Sequence, residues 1–214
     1  MPLTIQLEPH PLLEVGVFIS RFLQPLGGTT TPAPIAALAE PGTSAPFSPS
    51  EMVKTAVRDL LRQGGFKPAG RSKPASEYLV GAVAEGRFPR INAGVDACNV
   101  ASLHGGLPIS LVDADRLDGA LVIQIAAAGT SYVFNPSGQT IDASGLVCLF
   151  DAQGPSGTPV KDAQRTKTHD GTRAALSIVW GTRALPERTR EVTRWYRELV
   201  QTIDGASVED VLLR

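Results

Sequence analysis

The chain has 214 residues, 43% of them hydrophobic and 19% charged. That is enough apolar mass for a core and excludes a wholly disordered chain; at roughly 150 residues per domain it predicts one domain with at most an extension. Lys and Arg number 20 against 21 Asp and Glu, a net charge of −1, which disfavours a generic electrostatic nucleic-acid binder but leaves room for a local basic patch.

Two cysteines, Cys98 and Cys148, are too few for a disulfide scaffold. The histidines (His10, His104, His169) share no metal-ligand spacing, so neither a metal nor another cofactor is expected. The first residues lack the basic and apolar regions of a signal peptide. The longest apolar stretch, Ala120 to Ala128, is too short to cross a membrane. A cytoplasmic protein is the expectation.

In chain order, Val15, Val17 and Ile19 alternate with Gly16, Phe18 and Ser20 and predict a strand within an N-terminal region at 1–23. Residues 24–48 are rich in Pro, Gly and Thr and nearly uncharged, which predicts a long exposed loop. Ser48, Pro49 and Glu51 read as a capping box, with Phe47 and Met52 as its hydrophobic staple. The helix behind it carries Val53, Ala56, Val57, Leu60 and Leu61 on one face and stops at Gly64-Gly65. Further helices are predicted over Ser76 to Glu85, with Tyr78, Leu79, Ala82 and Val83 inward, and over Val95 to Leu103. Strand-like runs follow at Leu121 to Ile125, Ser131 to Phe134, Leu146 to Phe150 and Ala175 to Trp180, separated by turn signals that include Gly154-Pro155-Ser156-Gly157. A final helix at 186–204 buries Val192, Trp195, Tyr196, Leu199, Val200 and Ile203. No strand–helix–strand rhythm repeats. The prediction is an α+β fold, one domain overall with its main unit at 49–214 and a mixed or antiparallel sheet curled toward a barrel with flanking helices.

No phosphate loop, nucleophile elbow, zinc-protease or dinucleotide motif is present. Asp96 and Asn99 share a helix face; they could hold a substrate, or Asp96 could cap the helix while Asn99 meets solvent. Asp113, Asp115 and Asp118 read as a turn with side-chain caps and lack the Gly and Glu of a calcium loop. The polar run Lys161 to Arg173 could contact phosphates or be a solvated loop. The arginines of the last helix alternate with glutamates and read as surface ion pairs.

The segment from Phe88 to Gly129 resembles the B3/B4 domain of the bacterial phenylalanyl-tRNA synthetase β subunit. The pattern is carried by Ile91-Asn92, Val95-Asp96 with Asn99, Gly106-Leu107-Pro108, Asp113 and Gly119. Pro74-Ala75-Ser76-Glu77 upstream, and Asp162, Thr166, Thr168 and Thr172 downstream, are similar to other parts of free-standing members. The likeness spans about residues 50 to 182.

The resemblance implies a domain that binds the aminoacylated end of tRNA and hydrolyses a mischarged ester in trans, without a metal, by positioning water against the carbonyl. It implies a pocket position at Asn99, with Gly106, Pro108, Ser110 and Ile178 around it. Joined to the helix face and the polar run, this makes Asn99, Asp96 and Ser110 the expected catalytic residues and Lys161, Arg165 and Lys167 the expected phosphate contacts. Ser110 stands where the family has a pocket His, and Ile178 where it has the Glu that recognises a tyrosine hydroxyl. Tyrosine-specific editing is therefore not expected, since nothing would accept the phenol. The partners expected are the acceptor end of aminoacyl-tRNA and a synthetase, not DNA or a membrane. The alternatives are a non-catalytic tRNA- or RNA-binding or synthetase-associated module, and a pocket repurposed for an amino acid.

Overall fold

Hydrophobic alternation and turn residues divide the chain into five helices and eleven strands in a computed structural model that describes residues 3–214. β1 (Thr4–Leu7) and β2 (Leu13–Phe22) come first. α1 (Ala33–Leu38), α2 (Glu51–Arg62), α3 (Ala75–Ala84) and α4 (Ala93–Gly105) follow. The strand-rich half holds β3 (Ile109–Asp113), β4 (Leu121–Ile125), β5 (Ser131–Val133), β6 (Thr140–Asp142), β7 (Val147–Asp151), β8 (Gly154–Gly157) and β9 (Ala174–Thr182). α5 (Pro186–Gln201), β10 (Ala206–Asp210) and β11 (Leu212–Leu213) complete the described chain.

The strands form a mixed five-stranded sheet, β11-β1-β4-β7-β8, an antiparallel four-stranded sheet, β10-β2-β9-β3, and the β5-β6 hairpin. The α+β class with helices beside mixed and antiparallel sheets is as expected. Each sheet runs from one edge strand to another, so neither closes into a barrel. β9 is buried along all nine residues, as its nearly unbroken apolar run requires. α5 packs on β2 and β9, and α4 on β3 and α5. The α5 approach is close: a Cβ at Gly16 in β2 would stand 2.0 Å from the Thr193 hydroxyl.

Four local expectations change. The cap of α2 is Ser50, whose hydroxyl accepts the Val53 amide, so the helix begins two residues later than the proposed box. Met52 then faces solvent, while Phe47 stacks edge-on against Trp195 and beneath Arg188. Tyr78, expected inside, is exposed on α3. Gly154-Pro155-Ser156-Gly157, read as a turn, is β8, at a sheet edge where proline is tolerated.

Residues 24–48 are not the exposed loop expected. They hold a turn at Leu26–Gly28 and α1, with Leu26 and Ile35 fully buried. Polar ties complete the strap: Thr31 donates to the Asp96 carboxylate at 2.7 Å, His104 Nε2 lies 2.8 Å from the Leu38 carbonyl, and Arg90 donates to the Ala36 carbonyl at 2.9 Å.

Candidate functional site

Glycine chemistry sets up the first part of the site. α4 ends at Gly106, whose φ of +70° is a left-handed conformation that favours glycine. The chain then turns through Leu107 and Pro108 into β3, which pairs antiparallel with β9 so that Ser110 stands opposite Ile178. The two sequence-predicted pocket positions are therefore neighbours, but neither has any solvent exposure. The Ser110 hydroxyl accepts the indole N–H of Trp180 at 2.9 Å and donates to the Thr158 carbonyl at 3.1 Å. Pro108 is buried as well, and its carbonyl accepts the Trp180 amide. A catalytic role for Ser110 meets a physical obstacle: its hydrogen-bonding capacity is used inside the core. Gly106 is buried too, but it lines a groove of about 360 Å³ with Pro49, Ser50, Lys54, Glu77 and Val80.

Asp96 is buried on α4, where Asn92 rather than Asp96 supplies the cap, accepting from the Val95 amide. The Asp96 carboxylate accepts from Thr31 and from the Ile91 amide, at 2.7 and 2.9 Å. It holds the strap and the entry to α4. Asn99 is half-buried one turn further along and makes no side-chain hydrogen bond to the described residues. Of the three residues expected to be catalytic, Asn99 is thus the one whose amide is uncommitted.

The loop from Thr158 to Lys167 crosses behind Ser110. Its centre is Asp162, a half-buried carboxylate that accepts the Thr158 amide on one oxygen and the Leu111 amide on the other, both at 3.1 Å. Burial pushes its pKa up; Ser110, the two amides and the Lys167 charge oppose that without overcoming it. Tyr132 in β5 pins the loop by donating to the Lys161 carbonyl at 2.7 Å. Lys161 places its ammonium 4.3 Å above the ring of Phe134, and Lys167 donates to the carbonyl of the same residue at 2.5 Å. Burial lowers the pKa of both lysines; Arg71 lowers that of Lys161 further, and Lys161 that of Lys167. Two ammonium groups therefore converge on Phe134, one over its ring and one on its carbonyl.

Arg165, the third expected phosphate contact, points elsewhere. It forks onto Asp151 at 2.7 and 2.6 Å and also donates to the Gly154 carbonyl and the Ser156 hydroxyl. With Asp151 fully buried, this is an internal bolt between β7, β8 and the loop. Sequence reasoning missed Asp162, Tyr132, Trp180 and Phe134 as parts of the site. The one available signal was the place of Asp162 in the polar loop of the resembling family. Among the described residues, no cluster of three or more His, Cys, Asp or Glu could hold a metal ion, and no helix is long and apolar enough to cross a membrane.

A family model described as the B3/4 domain matches residues 69–191, more than half of the chain. The chain belongs to the B3/4 domain family. No curated protein sequence matches it. Among solved structures it is similar to an N-terminal fragment of the phenylalanyl-tRNA synthetase beta-subunit from Pyrococcus horikoshii, with 11% identity and a TM-score of 0.47. That similarity covers 99% of this chain and 52% of the fragment, so the chain spans about half its length. The matched part of this B3/4 domain runs from the turn before α3 into α5 and contains every candidate site residue. β2, which lies outside it, is central in the antiparallel sheet of the B3/4 domain.

Proposed function

We propose that this B3/4 domain binds the aminoacylated end of tRNA in the cytoplasm, alone or alongside a synthetase, using the cationic edge formed by Lys161, Lys167 and Arg71. The observation that carries this reading is the convergence of the Lys161 and Lys167 ammonium groups on Phe134. Two cations held side by side suit a single-stranded nucleic-acid end, where phosphate charge supplies most of the affinity. With a net charge of −1 the rest of the surface adds little non-specific attraction, so binding depends on this edge.

A second reading, hydrolysis of a mischarged aminoacyl ester, is favoured by Asp162. A carboxylate with raised proton affinity beside Lys167 has the character of a general base for an attacking water. The half-buried Asn99 amide, which makes no hydrogen bond to the described residues, would orient the ester. Purified protein incubated with a panel of mischarged tRNAs, alongside Asn99→Ala, tests both readings. Binding with hydrolysis that falls about tenfold in the variant, about 1.4 kcal/mol, supports both. Binding without hydrolysis leaves a recognition module, and absence of binding overturns the proposal.

A further inference from the structure

Far along the chain from that edge, the connection between β1 and β2 closes over a small recess. It is lined by Leu7, Glu8, Pro9, His10, Leu13 and Arg183, with a volume of about 100 Å³. That is room for about three waters at roughly 30 Å³ each. We propose that His10 and Arg183 form a binding site for a small oxyanion, phosphate or carboxylate, independent of the tRNA-binding reading.

The tautomer of His10 is fixed by its surroundings. Its Nδ1 accepts the amides of Leu12 and Leu13 at 3.2 and 3.0 Å, so in the neutral ring the proton resides on Nε2. His10 is only 7% exposed, and no described residue accepts a hydrogen bond from Nε2. Arg183 is anchored beside it by two backbone contacts. Its amide donates to the Leu12 carbonyl at 2.7 Å and its Nε to the Leu13 carbonyl at 3.1 Å. The Nη groups make no hydrogen bond to the described residues, which leaves the charged fork available. Burial and then the Arg183 charge lower the His10 pKa, so His10 meets a ligand as a neutral donor and Arg183 as the cation.

Two features limit the ligand. The recess admits one tetrahedral or planar anionic group, and a larger molecule would extend outward past the exposed Arg183. Glu8 also faces the recess, its carboxylate held by the Gln6 amide at 2.7 Å. It opposes an anion and sets a modest affinity.

The test is a titration of the full chain with inorganic phosphate, and separately with acetate, followed at the histidine ring nitrogens by NMR. The expected result is a saturable shift at His10 Nε2 and a rise in its titration midpoint, with His104 and His169 unmoved. Saturation by phosphate or by acetate names the anion class. Arg183→Gln abolishes the response, and Glu8→Gln, which touches neither donor, lowers the dissociation constant severalfold. A shift that never saturates, that appears equally at all three histidines, or that survives in Arg183→Gln overturns the site. None of these results bears on tRNA binding, which uses other residues.

Discussion

Trp180 donates its indole N–H to the Ser110 hydroxyl, 2.9 Å away, and both residues are fully buried. One strand pair thus turns a position suspected of chemistry into core structure. Ser110→Ala leaves the indole donor without a partner. The expected loss is about 1–3 kcal/mol of stability, measured by urea unfolding, with tRNA binding per folded molecule unchanged. A loss of hydrolysis with stability retained would return Ser110 to the reaction.

Arg165 and Asp151 set an acid limit on stability. Burial raises the Asp151 pKa, but the Arg165 fork and the amides of Gln153 and Asp118 outweigh it, so the carboxyl titrates below its ordinary range. A depressed pKa contributes stability that is complete above the unfolded value of about 3.9 and is lost as pH falls through the folded one. Arg165→Ala strands the buried carboxylate, at an expected cost of about 3 kcal/mol. Thermal unfolding from pH 7 to pH 2 should show the variant's deficit largest near neutral pH and shrinking as pH falls, because protonation of Asp151 removes the stranded charge. After correction for folded fraction, tRNA affinity is expected to be unchanged.

Lys161 is the cleaner probe of the cationic edge, because its ammonium lies over a ring and, unlike that of Lys167, makes no hydrogen bond to the described residues. Lys161→Ala should weaken tRNA binding and reduce the slope of log affinity against log salt by about 0.7, the value for one phosphate contact on a single strand. Fluorescence anisotropy at several salt concentrations reads both. An unchanged slope would remove Lys161 from the contact.

The strap at 24–48 is held by its ends and by His104. His104→Ala removes the partner of the Leu38 carbonyl and the edge contact to Trp195. Limited proteolysis of the native protein should be slow within this segment, and several-fold faster in the variant. Equal rates would show that Leu26, Ile35 and the ties from Thr31 and Arg90 anchor it without His104.

Residues with local periodicity were readable in the sequence. β4 has its predicted bounds, and α5 buries Val192, Tyr196, Leu199 and Val200 from the predicted face. What escaped was set by distant partners. β1, β8, β10 and β11 are short and their sequences carry no alternation strong enough to stand alone; each becomes a strand because another strand lies beside it. The strap was misread because composition reports turn chemistry, whereas its order comes from Leu26 and Ile35 entering the core. Asn99 and Lys161 could be singled out from the motif and the charge run. That Ser110 is sealed in, and that Arg165 is turned inward to Asp151, depends on pairs 70 and 14 residues apart along the chain.

The placement of β10 and β11 also protects the molecule. β10 lies against β2 and β11 against β1, so the residues synthesised after α5 cover the outer edges of strands synthesised first. Left uncovered, each edge would be a template for pairing with another chain, so β10 and β11 guard these two edges against misassembly.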